Sequence, residues 1–72
     1  ESIKLYPNPA KNAITILSSH NLKKVIVYSV LGREILRSTQ KSINIQHLKA
    51  GVYLIKVEMA NGRETVKKFI KE

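Results

Sequence analysis

The 72 residues predict an all-β fold, an antiparallel β-sandwich of about seven short strands. Three observations carry this expectation. Apolar residues recur at period two or in short runs. Turn-forming residues (Pro7-Asn8-Pro9, Gly32, Gly51, Asn61-Gly62) separate the runs. No segment sustains the helical period of about 3.6 residues.

The first strand, Ile3–Tyr6, stops at Pro7-Asn8-Pro9, where two prolines fix φ and remove ladder donors. The second, Ala13–Ser18, places Ile14 and Ile16 on one face and ends at Ser19-His20-Asn21. Residues 24–30 carry Val25, Ile26, Val27, Tyr28 and Val30, apolar on both faces, which suits a central strand. After the Leu31-Gly32-Arg33 turn, residues 33–38 set Ile35 and Leu36 among charges, the pattern of a strand nearer an edge. Residues 42–46 turn Ile43 and Ile45 inward. Gly51–Met59 is the longest run, with Tyr53, Ile55, Val57 and Met59 on one face. Asn61-Gly62 signals a two-residue type I′ hairpin into the last strand, residues 63–70. The expected core is Ile14, Ile16, Val25, Val27, Ile43, Ile45, Tyr53, Ile55 and Val57.

One local pattern narrows the architecture. Leu48 and Gly51 precede Tyr53 at the start of the sixth strand. Immunoglobulin-like sandwiches often place a tyrosine there, its hydroxyl bonding back to the chain a few residues upstream. Leu48 would plug the core and Gly51 would permit the turn. The expectation is therefore an immunoglobulin-like sandwich, with residues 1–72 forming a single domain.

Length and composition limit function. A chain this short buries about 60% of its unfolded surface, which leaves little room for an enclosed catalytic cleft. Without cysteine, the core must hold without disulfides or thiolate–metal bonds. No apolar run approaches the roughly 18 residues of a membrane-spanning helix. The chain begins at Glu1 rather than Met, so a fragment or processed product is expected, with any N-terminal export signal outside it.

Net charge is +8, and all five acidic residues are glutamates. That balance favours anionic partners without choosing among them. The lysines are dispersed along the chain, as on solvated strand faces. Catalytic patterns are missing. Nucleophilic catalysis needs a base beside the nucleophile and a group to orient it. The two histidines, His20 and His47, fall in separate expected loops, and no glutamate has a recognisable spacing to either. Two isolated histidines make no zinc site, and clustered carboxylates for calcium are lacking. Glu58 and Glu64 flank the hairpin and read as surface partners of lysines. Binding single-stranded nucleic acid would need exposed aromatics along a basic groove. Tyr28 and Tyr53 are better placed in the core. No enzyme activity, cofactor, metal or nucleic-acid partner is expected.

Several segments together resemble a known family. They are Tyr6-Pro7-Asn8-Pro9-Ala10, Val27-Tyr28-Ser29, Leu31-Gly32-Arg33-Glu34 and Ile43-Asn44-Ile45 leading to Leu48. Gly51-Val52-Tyr53-Leu54-Ile55-Lys56-Val57, then Gly62, then Lys67-Lys68-Phe69-Ile70-Lys71 complete the set. Their order and spacing resemble the type A C-terminal sorting domain of the type IX secretion system of Bacteroidetes, across essentially the whole chain.

The resemblance implies a non-catalytic domain fused behind an N-terminal cargo. It implies recognition by the outer-membrane secretion machinery after the cargo has reached the periplasm. Removal by a sortase that cuts upstream, before or near Glu1, is implied as well, with cargo secreted or attached to the cell surface. In this family the terminal strand carries much of the signal, which points to Lys67, Lys68, Phe69, Ile70 and Lys71. Tyr6, Pro7, Asn8, Pro9, Gly32, Leu48, Gly51, Tyr53, Asn61 and Gly62 are the matching structural positions. An immunoglobulin-like accessory module that binds carbohydrate or spaces domains in a secreted enzyme is the alternative.

A two-residue turn at Asn61-Gly62 would pair Val57 with Val66, Leu54 with Phe69 and Tyr53 with Ile70. Phe69 and Leu54 would then form an exposed apolar pair beside Lys67 and Lys71, a docking patch. A β-bulge would instead turn Phe69 inward. The last strand, at a sheet edge, would offer free backbone groups for a receptor to add a strand. Lysines along such an edge also oppose aggregation.

Overall fold

Strands that are apolar on both faces take the interior of the larger sheet, and the rest of the topology follows from that choice. The computed structural model describes residues 3–72. The position near Glu1 at which the resemblance implies cleavage lies outside the described residues. The strands are β1 (Ile3–Tyr6), β2 (Ala13–Ser18), β3 (Leu22–Ser29), β4 (Glu34–Ser38), β5 (Ser42–Asn44), β6 (Gly51–Met59) and β7 (Glu64–Lys71). They form two antiparallel sheets, ordered β1-β2-β5 and β4-β3-β6-β7. No strand boundary departs from the sequence reading by more than two residues.

β3 and β6 are the interior pair of the larger sheet. Val25 and Val27 face the opposing sheet, fully buried. Ile26, on the outer face, is still only 4% exposed, because strands cover it on both sides. β4 remains in a hairpin with β3. In the constant-type immunoglobulin arrangement the fourth strand joins the other sheet, so this sandwich is a relative of that architecture with the fourth strand moved.

The core gathers inward residues from both sheets. Ile14 and Ile16 from β2 and Ile43 and Ile45 from around β5 meet Val25, Val27, Ile55, Val57, Met59 and Phe69 from the larger sheet. Every expected core residue is there except Tyr53, which is half-buried and packs against the core from its rim. Its hydroxyl donates to the Lys49 carbonyl at 2.6 Å, so the tyrosine corner forms. Leu48 packs against the same core, and its amide donates to the Ile45 carbonyl at 3.0 Å. Tyr28 is not a core residue. It pairs with Leu54 on the outer face of the larger sheet and is half-buried there.

The β6–β7 hairpin differs from the expected two-residue turn. The Met59 amide donates to the Arg63 carbonyl at 2.8 Å, and the Gly62 amide to the Met59 carbonyl at 3.0 Å. Gly62 has φ +92°, while no non-glycine residue has positive φ. A type I′ turn would need positive φ at Asn61 too. The connection is instead a three-residue loop closed by a left-handed glycine, the G1-bulge hairpin. Asn61 contributes by accepting the Arg63 amide at its Oδ1, 3.0 Å away. The β3–β4 hairpin repeats the design, with Ser29 bonded to Arg33 and Gly32 at φ +89°.

The extra loop residue shifts the register by one. Val57 pairs with Thr65, Tyr53 with Phe69 and Val52 with Ile70. A slip of one residue exchanges the faces of a strand. Phe69 therefore points into the core, fully buried, and the expected Phe69–Leu54 surface pair does not exist.

Candidate recognition surface

β7 alternates cleanly. Thr65, Lys67, Phe69 and Lys71 face the sandwich interior, and Glu64, Val66, Lys68 and Ile70 face out. Phe69 stacks on the Tyr53 ring, centroids 5.6 Å apart and planes 23° apart. Lys71 is 8% exposed, and its ammonium donates to the Glu72 carbonyl at 2.9 Å. Two of the five terminal-strand residues singled out by sequence are thus internal supports. Lys67 is half-buried, while Lys68 and Ile70 are exposed.

The outward face of this sheet has an apolar patch that sequence reasoning assigned to the wrong partners. Ile70 pairs with Val52, and both are more than two-fifths exposed. Leu54 lies beside Val52's row, between Tyr28 on one side and Lys68 on the other. The result is an apolar surface of Tyr28, Val52, Leu54 and Ile70 with Lys68 at its margin. Counting the hairpin as three loop residues instead of two would have found it, but the Asn-Gly pair favours the shorter turn. Leu31, at the tip of the β3–β4 hairpin, is 93% exposed; the sequence reading places it only in a turn.

The segment from Pro7 to Ala10 leaves β1 and crosses to the free edge of β7. Both of its X-Pro peptide bonds are cis. Ala10 is fully buried and forms a parallel bridge with Lys71. Its amide donates to the Ile70 carbonyl, and its carbonyl accepts from the Glu72 amide, both at 2.8 Å. Asn8 adds a side-chain version of the same pairing. Its Oδ1 accepts the Ile70 amide at 3.0 Å, and its Nδ2 reaches the Lys68 carbonyl at 3.5 Å. A proline-flanked segment supplies few ladder donors of its own, so the Asn8 amide replaces a backbone amide.

Charge is distributed in local pairs. Glu58 accepts Lys23 and Lys24 at 3.6 and 3.5 Å, and Glu64 accepts Lys56 at 3.7 Å. Arg37 holds Glu34 in a bidentate pair, 2.7 Å at each contact. Those hydrogen bonds pull the Glu34 carboxyl below its ordinary range. A hollow lined by Lys23, Lys24, Arg37 and Gln40 is therefore less basic than its composition suggests. A second groove differs. It runs between β1 and β7, lined by Ile3, Lys4, Leu5, Asn8, Lys67 and Lys68, and no described carboxylate lies within 4.0 Å of these lysines.

His20, between β2 and β3, and His47, after β5, are exposed and belong to separate loops. Among the described residues no three histidine or acidic side chains gather in a metal-holding group. No helix among them is long and apolar enough to cross a membrane.

An endo-acting ulvan lyase of Formosa agariphila is 38% identical over 74 aligned positions, which cover 94% of this chain and 14% of the lyase. The chain thus spans only a small part of that relative. The secretion system C-terminal sorting domain family matches residues 4–72, a span that takes in all of β2 through β7 and most of β1. Members of this family are sorting signals for type IX secretion and mark proteins for release or display at the cell surface. The chain belongs to the family of secretion system C-terminal sorting domains.

Proposed function

We propose that residues 1–72 act as one non-catalytic export address, read in folded form by the type IX outer-membrane machinery while fused behind a cargo. The family match along nearly the whole chain carries this reading. A sortase then separates domain from cargo upstream of β1. The small share of the lyase that the chain spans fits an appendage on a larger protein.

The fold supports a division of labour between the two ends of the sandwich. Ile3 pairs with Ser18, whose hydroxyl lies 3.9 Å from the Met59 sulfur at the end of β6. Gly51, at the start of β6, pairs with Lys71. The start of β1 thus lies toward the Met59 end of the sandwich, and the C-terminal end of β7 lies toward the Gly51 end. A cargo joined ahead of β1 would enter from the Met59 end, away from Ile70, Val52 and the Leu31 hairpin tip. Exposed apolar residues flanked by cations are the chemistry of a protein-docking surface.

In this reading Phe69 and Lys71 hold the terminal strand in place, and Lys68 and Ile70 present it. The test is Lys68→Glu combined with Ile70→Ser in a domain fused to a periplasmic reporter. Both side chains face solvent, so the variant should keep its unfolding free energy within about 1 kcal/mol of the parent. Export of the reporter should fall at least several-fold. A folded variant exported as well as the parent would move the recognition surface elsewhere.

A further inference from the structure

The cover on the β7 edge stops halfway. Ile70 points both backbone groups away from β6, and the crossing segment satisfies both. Alternation points the groups of Lys68 and Val66 the same way. The Lys68 carbonyl receives only the 3.5 Å contact from Asn8. Among the described residues nothing pairs with the Lys68 amide or with the amide and carbonyl of Val66. Lys68 lines the groove between β1 and β7 together with Ile3, Lys4, Leu5, Asn8 and Lys67, and Val66 precedes it on the same edge.

The geometry points to this open half-edge as a strand-addition site for a short, extended, acidic segment of the secretion machinery. The inference rests on the sorting reading and gives it a second, backbone-mediated contact. Main-chain bonds to Val66 and Lys68 would supply affinity. The groove lysines, which no described carboxylate approaches within 4.0 Å, favour carboxylates on the incoming segment. Asn8 sets the limit, because pairing cannot run past Lys68 without displacing it. A second copy of the domain is a poorer occupant, since each copy carries a net charge of +8.

The experiment measures binding of the 72-residue domain to purified, detergent-solubilised type IX translocon, with amide hydrogen exchange read on the domain. Val66→Pro deletes one outward amide and leaves the β6 ladder intact, a substitution edge strands accept. Val66→Ser removes the side chain and keeps the amide. The expected result is a loss of about tenfold in affinity for Val66→Pro and little change for Val66→Ser. The Val66 and Lys68 amides of the parent should become protected in the complex. Lys4→Glu with Lys67→Glu should weaken binding as well.

Equal binding by a folded Val66→Pro overturns the site. Should that variant fail to fold, unprotected Val66 and Lys68 amides in the parent complex overturn it instead. Full binding by the double glutamate variant overturns the acidic partner. Sedimentation showing a domain dimer that Val66→Pro abolishes assigns the edge to a second copy and overturns the proposal. A parent domain that does not bind the translocon at all refutes the sorting reading itself.

Discussion

Replacing Phe69 and Ile70 one at a time by alanine tests the register of the terminal strand, on which every assignment of its residues depends. Phe69 is fully buried and stacked on Tyr53. Truncating a buried phenylalanine to alanine costs about 3–5 kcal/mol, and the lost ring pair lies toward the upper end of that range. Ile70 is 43% exposed on the opposite face. Its truncation should cost about 1 kcal/mol or less. A domain of 72 residues has about 4–11 kcal/mol of stability in total. Phe69→Ala therefore removes a large share of it, and the melting temperature should fall by more than about 12 °C. Urea denaturation with both midpoint and slope recorded is the assay, because an unchanged slope shows that stability alone has moved. Under a two-residue hairpin the two residues exchange faces. Equal costs, or a larger cost at Ile70, would refute the register and with it the division of β7 into internal supports and presented residues.

Other outcomes follow from single contacts. Tyr53→Phe deletes the hydroxyl bonded to Lys49 and keeps the stacked ring, so about 1 kcal/mol should be lost in the same denaturation assay. Gly62→Ala meets no atom within 4 Å of the new Cβ, so its cost, about 1–2 kcal/mol, should come from the left-handed backbone alone. Asn8→Ala should destabilise by about 1 kcal/mol and speed exchange of the Ile70 amide, while Asn8→Asp, which keeps the acceptor, should restore that protection. Glu34 is held below the usual carboxylate range by Arg37, so its small stabilisation is present above the unfolded value and lost as pH falls through the lower folded value. A carboxyl titration by NMR should place its midpoint below the ordinary glutamate range, and Arg37→Gln should bring it back.

Most of the fold was legible because period-two alternation specifies which face of each strand is buried. Ile14 and Ile16, Val25 and Val27, and Ile55 and Val57 all fall where that pattern puts them. The tyrosine corner was legible too, since Leu48, Gly51 and Tyr53 occupy a fixed local spacing. β7 was harder. Its outward face carries Val66 and Ile70 and its inward face Lys67 and Lys71, so hydrophobicity does not choose a register. The turn had to decide, and Asn61-Gly62 is compatible with both a two-residue loop and a G1 bulge. The crossing of Pro7 to Ala10 onto the β7 edge lies beyond local pattern altogether. It depends on two segments some sixty positions apart, with Asn8 bonded to Ile70 at a separation of 62 residues. The two prolines announce a break without saying where the chain goes next.

Export itself tests the central claim most directly. The domain is fused behind a periplasmic reporter and expressed in a host with type IX machinery and in the same host with its translocon deleted. The account predicts reporter at the cell surface or in the medium of the first host, and its retention in the periplasm of the second. Retention in both hosts, with the domain shown to be folded, would contradict it.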